Sequence, residues 1–358
     1  MKICYLSDIN SYHTHKWCRY FISKGHEVHV ITLNNGTLSG VNVHSLDLNS
    51  NLSKKDSSFY KLSYLKRINR IKDIVNQVKP DILHAHYASS YGLLGALCNY
   101  HPYILSLWGS DILLFPKEGL VQKNIIKYNL KKADKILSTS RYMRDEANIY
   151  TKKDIDITPF GIDVELFRNR EIRKNDEIII GIVKSLEKIY GIEYLIQAFS
   201  NIIKKYPEKG IRLEIVGEGT QKNSLKNLVH KLNVEESVKF LGSMTQEKVA
   251  DFYNKIHIAV FPSISESFGV SVLEAQACGV PVIVSDIKAF EETTIIGESS
   301  LVCKVKNSKS IEFELEKLLL DKKLREDMGN VGSIFVRDNF NQNNIFIEIE
   351  DLYKSIKK

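Results

Sequence analysis

The sequence predicts an α/β protein made of two Rossmann-like halves. Three observations carry this. Short β-branched runs alternate with longer helical patterns along the chain; a charged, glycine-free stretch at 166–177 interrupts the alternation near the middle; and the pattern then restarts on the apolar run Ile178-Ile-Ile-Gly-Ile-Val183. Such alternation marks parallel βα units. A length of 358 residues also exceeds a typical single domain of about 100–200 residues.

In the first half, 2–6, 27–33, 82–84, 103–107, 135–138 and 156–158 read as strands, with helical patterns at 16–24, 64–78 and 120–130. Residues 34–60, rich in Asn, Ser and Gly, read as loop. In the second half the strands fall at 178–183, 212–216, 238–241, 258–261 and 281–284. The helices there fall at 192–204, 221–232, 245–255, 270–278 and 311–319, with a last amphipathic one near 344–356. The expected organisation is therefore a domain at 1–165, a linker at 166–177 and a domain at 178–343, the last helix being free to pack back on the first domain. Open sheets of this kind bind ligands at the carboxyl ends of their strands, so the cleft between the halves is the expected site.

Composition narrows the function. The five cysteines are scattered and form no Cys-x-x-Cys pair, which points to reduced thiols in the cytoplasm rather than a disulfide framework or a zinc site. No apolar run is long enough for a membrane span, and the first residues do not suit a signal peptide. Residues 1–165 carry 22 Lys and Arg against 15 Asp and Glu, whereas residues 166–358 carry 28 of each. The net charge of +7 thus sits on the first half, which fits an anionic membrane or a phosphorylated ligand. The lysines lack interleaved aromatics, which argues against nucleic acid.

The chemistry concentrates in Ser265-Glu-Ser-Phe-Gly-Val-Ser-Val-Leu-Glu274. A strand ends at Phe261, a loop carries Glu266, and Gly269 opens a helix whose unpaired N–H groups form a ready phosphate site. Gly269 lets a phosphate approach the backbone. Glu274, one turn further on, is placed to accept two hydroxyl bonds, as a ribose diol offers. Glu266 faces the group on the other side of a diphosphate. Gly217, in the turn after the strand ending at Val216, allows a base or ribose to lie against backbone. Lys184 and Lys188 follow Val183 and supply cations for a diphosphate.

These residues resemble the Glu-x7-Glu signature of the retaining glycosyltransferases of family 4, which have the GT-B fold. The resemblance extends through 159–167, 184–199, 215–219, 240–242 and Asp81-Ile-Leu-His-Ala-His86, most of the chain. It implies two Rossmann-like domains facing each other across a deep cleft, the first binding acceptor and the second a nucleotide sugar. It implies that Glu266 contacts the donor sugar and Glu274 the ribose, with the backbone of Phe268, Gly269 and Val270 holding sugar and diphosphate. Lys184 stands where arginine is usual. Tyr190-Gly191 occupies the usual Lys-Gly position, and Lys188 lies two residues earlier. His86 matches the histidine beside the sugar's reaction centre, while strand alternation is read as turning His84 to the opposite face, as a packed residue.

The loop 8–15 lacks the family's glycines, so His13 enters only as a cleft candidate. Trp108 and Asp111, in Ser106-Leu-Trp-Gly-Ser-Asp111, are candidates for acceptor contact. Asp154-Ile-Asp156 spells the Asp-x-Asp of metal-dependent transferases, but it leads into Pro159 and the cationic residues already serve the diphosphate; no metal or other cofactor is expected. The expected activity is retaining transfer of a hexose-type unit from a UDP- or GDP-sugar to a glycan or lipid-linked acceptor in cell-envelope polysaccharide biosynthesis. The expected location is cytoplasmic, with peripheral contact at the inner face of the membrane. The alternatives are a GT-B-shaped sugar-nucleotide epimerase and a non-catalytic nucleotide-sugar-binding protein.

Overall fold

The computed structural model describes residues 1–46, 66–172 and 177–357. The chain forms two compact units, Met1–Pro159 with Ile345–Lys358, and Phe160–Asn344. The break after Pro159 puts residues 160–172, including the start of the charged stretch, in the second unit.

The first unit is built on a seven-stranded sheet. Its strands are β1 (Lys2–Leu6), β2 (Glu27–Thr32), β3 (Asn42–Ser45), β4 (Ile82–His86), β5 (Tyr103–Leu107), β6 (Lys135–Ser138) and β7 (Ile155–Ile157). They lie in the order β3-β2-β1-β4-β5-β6-β7, every pair parallel. The helices are α1 (Tyr12–Ser23), α2 (Ile68–Val78), α3 (Ser90–Cys98), α4 (Ser110–Leu113), α5 (Leu120–Lys132) and α6 (Arg141–Ala147). Side chains alternate across β1: Cys4 and Leu6 join one apolar cluster with Leu83, Ala85 and Leu105. Ile3 and Tyr5 join another, with Trp17, Phe21 and Ile82. Both faces are covered, as parallel sheets require.

The second unit carries six strands in the order β10-β9-β8-β11-β12-β13, again all parallel. They are β8 (Ile178–Val183), β9 (Ile211–Val216), β10 (Val238–Gly242), β11 (Ile258–Phe261), β12 (Val282–Ser285) and β13 (Ser300–Cys303). Its helices are α7 (Ile192–Lys205), α8 (Lys222–Lys231), α9 (Gln246–Lys255), α10 (Val270–Ala277), α11 (Lys288–Glu291), α12 (Ser308–Leu320) and α13 (Lys322–Asn339). Thr245, Asn307 and Asp321 accept the N–H three residues on and so start α9, α12 and α13. The last helix, α14 (Gln342–Ile356), places Ile345, Phe346, Ile349 and Tyr353 in the first unit's cluster with Trp17 and Phe21.

The structure departs from the sequence reading at several elements. The loop at 34–60 contains the edge strand β3, and its residues 47–60 lie outside those described, as do 64 and 65 of the first-half helix at 64–78. The short strand β13 and the helices α3, α4, α6, α11 and α13 were not anticipated. In α13 the glycines obscure the pattern, and packing explains them: a Cβ at Gly329 would lie 2.3 Å from the Gly279 carbonyl oxygen. Finally, His84 and His86 share a face of β4, because residues two apart on a strand point the same way; their rings meet edge to face at 4.7 Å.

In each sheet the strand order reverses at one place, between β1 and β4 in the first unit and between β8 and β11 in the second. The carboxyl ends at such a switch point leave a crevice for a ligand.

Candidate active site

The second unit's switch point gathers most of the sequence candidates. Lys184 leaves β8, and its ammonium forms an ion pair with Glu266, which follows β11; the side chains are 12% and 10% exposed. The Lys184 ammonium also stands 4.7 Å from the centroid of the Tyr190 ring, a cation–π contact. Tyr190 therefore occupies the place beside Lys184, whereas Lys188 is exposed at the start of a short turn.

Backbone crowding fixes this arrangement. Gly217 has φ of 141°, and a Cβ there would lie 1.9 Å from the Lys184 carbonyl oxygen. Leu186 N–H donates to the Glu218 carbonyl at 2.9 Å, and Gln221 N–H to the Leu186 carbonyl at 2.8 Å. The turn after β9 thus braces the loop that carries Lys184. On the other side, Ile264 N–H donates to the Ile189 carbonyl at 2.8 Å, which ties Tyr190 to the Glu266 loop.

Gly269, with φ of 95°, opens α10. A Cβ there would come within 2.9 Å of the Phe290 ring, so glycine is required by shape as well as by dihedral. The Phe268 side chain is buried between the rings of Phe160 and Phe340 and anchors the loop, while Val270 begins the open amino end of the helix. Glu274 is buried, unlike an ordinary surface carboxylate. Beside it lies Tyr253, whose phenol is held protonated by burial and then by the Glu274 charge and whose hydroxyl donates to the Ser271 carbonyl at 3.1 Å.

At the first unit's switch point, His86 ends β4 with no exposed surface. Its Nδ1 shares a hydrogen bond with Ser7 Oγ at 3.1 Å, and Ser7 with Thr14 at 2.7 Å. Trp108 stacks on the ring at 4.4 Å. Burial, then His84 and His13, hold the imidazole neutral, and among the described residues Nε2 has no hydrogen-bond partner. His84 is bonded to Tyr353 and Ser106 and is a packed residue. The half-buried His13 lies 5.7 Å from the Trp108 ring, its pKa lowered to about 3 by burial and Lys16.

Asp111 departs from the expected ligand contact. It is fully buried and accepts N–H bonds from Ala88 at 2.6 Å, Gly109 at 2.7 Å and Trp108 at 3.2 Å. Burial raises its pKa against those bonds. A carboxylate so engaged fixes the loop that carries Trp108. Beside it a cavity of ≈ 370 Å³ is lined by Tyr87, Ser89, Ser90, Ser110, Leu114, Phe115 and Glu118.

Sequence reasoning missed Ser7, Thr14, Tyr87 and the role of Tyr190. Tyr87 carries a φ of 82°, a rare conformation for a side-chain-bearing residue, and its hydroxyl bonds Ser110. Nothing in its neighbours announces this; Tyr190 was legible only as the residue displacing a lysine. Of Asp154-Ile-Asp156, Asp156 pairs with Lys135 at 2.7 Å, and among the described residues no group of three His, Cys, Asp or Glu is placed to hold a metal ion.

Two doubly wound units, each with polar residues at its switch point, are the architecture of the GT-B fold. The structure is similar to the sucrose-phosphate synthase of Thermosynechococcus elongatus, with a TM-score of 0.87, 19% identity and coverage of 99% of this chain and 98% of that one. It is also similar to Anabaena HepE, solved in complex with UDP and glucose, with a TM-score of 0.78, 16% identity and coverage of 99% and 100%. In sequence, the N-acetyl-alpha-D-glucosaminyl L-malate synthase of Bacillus anthracis is 26% identical, over 93% of this chain and 90% of its own. The family described as "Glycosyl transferase 4-like" matches residues 2–140, and "Glycosyl transferases group 1" matches residues 163–333. The chain belongs to the group 1 glycosyltransferases. Among the described residues, no helix is long and apolar enough to cross a membrane.

Proposed function

We propose that the protein transfers a hexose-type sugar, with retention of configuration and without a metal ion, from a UDP- or GDP-sugar to a glycan or lipid-linked acceptor in cell-envelope polysaccharide or glycoconjugate synthesis. The observation that carries this reading is the Lys184–Glu266 ion pair beside the Gly269 start of α10, with Glu274 buried on the same helix. The UDP and glucose bound in the HepE structure are ligands of this chemistry.

In this reading the diphosphate lies at the amino end of α10, over Gly269 and Val270, where backbone N–H groups and Lys184 balance its charge. Glu274 accepts the ribose hydroxyls and Glu266 a hydroxyl of the sugar. The Lys184 ammonium, already paired with Glu266, turns part of its charge to the leaving diphosphate. Lys188 is near enough in sequence to add a second cation. In this reading the Nε2 of His86, without a hydrogen-bond partner among the described residues, is the first unit's group assigned to a sugar hydroxyl. No protein nucleophile is invoked: the acceptor oxygen bonds to the anomeric carbon on the face the diphosphate leaves, and its proton passes to the departing phosphate oxygen. The surplus positive charge of residues 1–165 suits peripheral contact with an anionic membrane.

The test is a thermal-shift panel of UDP-, GDP- and ADP-sugars, since a ligand bound only by the folded state raises its melting temperature. One of these should stabilise the protein, and Glu274→Ala should remove the effect. Stabilisation by none would defeat the reading. Retention and metal independence are then read from the anomeric configuration of product formed in the presence of EDTA.

A further inference from the structure

We propose that one face of α5, with the loop leading into it, docks the protein on an anionic lipid bilayer. This rests on the sugar-transfer reading only in what it implies for the acceptor, which would be membrane-borne; the docking itself stands on the exposed surface of α5.

The face is defined by exposure. Leu120, Val121, Asn124, Lys127, Tyr128 and Lys131 are the exposed residues of α5, and helical periodicity puts all six on one side. Ile126, Asn129 and Leu130 are buried on the other. Leu120 and Val121 are 79% and 67% exposed, and Leu114, on the loop before them, is 50% exposed. Three large apolar side chains so close in sequence and this open to water need a reason in a protein with ample core.

Charge selects the occupant. The sequence Leu120-Val-Gln-Lys-Asn-Ile-Ile-Lys-Tyr-Asn-Leu-Lys-Lys132 holds four lysines and no acid. Lys153 adds a cation at the carboxyl end, donating to the Lys131 carbonyl at 2.7 Å. Of the nearby acids, Glu146 is paired with Lys117, and Glu118 faces the cavity. Apolar residues at one end, a tyrosine midway and lysines along the same stripe are what an anionic interface attracts: the first enter the acyl boundary and the last meet the headgroups. A protein partner of ordinary surface would leave the lysines unanswered. The exposed Leu114 also lines the cavity shared by Tyr87, Ser89, Ser90, Ser110, Phe115 and Glu118; because Glu118 puts a carboxylate there, the anionic headgroups are assigned to the lysines of the α5 face rather than to this cavity.

The full chain is sedimented with phosphatidylcholine vesicles, with and without phosphatidylglycerol, at low and high salt. Binding is expected only to the anionic vesicles and is weakened by salt. Leu120→Ser with Val121→Ser should weaken it roughly tenfold or more. Lys127→Glu with Lys131→Glu should weaken it by about the same factor. Both pairs are on the surface, so the melting temperature and the thermal shift given by a nucleotide sugar should be unchanged, which separates this test from that of the sugar-transfer reading. No binding of the unaltered protein to anionic vesicles overturns the proposal. So does equal binding by the serine variant, or concentration-dependent dimerisation that this variant abolishes.

Discussion

Lys184 and Glu266 form an ion pair across the ends of two neighbouring strands, β8 and β11, with each side chain only about a tenth exposed. Neither strand ends in the other's sequence neighbourhood; the parallel pairing of Ile258 with Ile180 and of Ala259 with Gly181 brings them together. A pair this sheltered is more important when broken than when kept, because removing one partner strands the other charge. Lys184→Met and Glu266→Gln should each lower stability, by up to about 3 kcal/mol. The double variant should lose less than the sum. Chemical denaturation of the four proteins in the cycle measures this; strictly additive losses would show that the two charges do not interact. Because Lys184 is also assigned to the diphosphate, Lys184→Met should weaken the stabilisation by a nucleotide sugar further than its own stability loss explains.

Gly217→Ala should be among the most costly single-atom changes in the second unit. The added Cβ would fall 1.9 Å from the Lys184 carbonyl oxygen, a backbone atom that cannot rotate away, and the φ of 141° is strained for alanine. A loss of about 2 kcal/mol or more is expected, together with a weaker nucleotide-sugar shift, because the displaced residue is Lys184. Gly297→Ala is the control, since a Cβ there has nothing within 4 Å; it should cost only the dihedral strain of its own positive φ.

Much of this site was legible in the sequence because it depends on local order. The strand, loop and glycine-opened helix around Glu266 and Glu274 lie within a single βα unit, and each element follows from its own pattern. The edge strand β3 has a single apolar residue, Val43, among polar ones, so its own pattern reads as loop, and β13 exists because β12 is there to pair with it. The roles of Asp111 and Trp108 were equally hidden. Nothing in Trp-Gly-Ser-Asp says that the carboxylate turns inward to hold N–H groups of two loops; only the fold brings Ala88 within its reach. The error over His84 was of another kind, since strand periodicity itself places it with His86.

The buried histidines make stability depend on pH. Burial lowers the pKa of His84 from 6.5 to about 3, and that of His86 lies well below its ordinary value. Both are therefore neutral in the folded chain, while the unfolded chain protonates them near 6.5. Below that pH the unfolded state binds more protons, so their contribution is full above it and erodes as pH falls towards 3. The slope approaches about 1.4 kcal/mol per pH unit for each histidine. Denaturation midpoints between pH 7 and pH 4 should fall accordingly, and His84→Asn should flatten the dependence. In proton NMR the ring signals of both histidines should stay unshifted from pH 8 to pH 5.

Tyr353 ties the end of the chain to the first sheet. It is fully buried, stacks on Phe21 at 5.2 Å, and its hydroxyl shares a hydrogen bond with His84 Nδ1 at 2.5 Å. The other ring nitrogen of His84 is bonded to Ser106 at 2.7 Å, so the imidazole has a partner on each side and a fixed orientation. Tyr353→Phe keeps the ring and removes only the hydroxyl, leaving Nδ1 without a partner inside an apolar cluster. The expected loss is about 1–3 kcal/mol, read as a lower denaturation midpoint. A change in the His84 ring-nitrogen shifts should accompany it, which a simple loss of packing would not give. Ending the chain at Asn341 instead removes Ile345, Phe346, Ile349 and Tyr353 together and uncovers Trp17 and Phe21. Four large apolar side chains at about 1.5–3 kcal/mol each, about 6–12 kcal/mol together, are comparable with the whole stability of a typical domain, roughly 5–15 kcal/mol. The shortened chain should therefore fail to fold its first unit, measured as lost near-ultraviolet circular dichroism from Trp17 and dye binding to exposed apolar surface. A cooperative, undiminished melt of the first unit would show that α14 is dispensable to it.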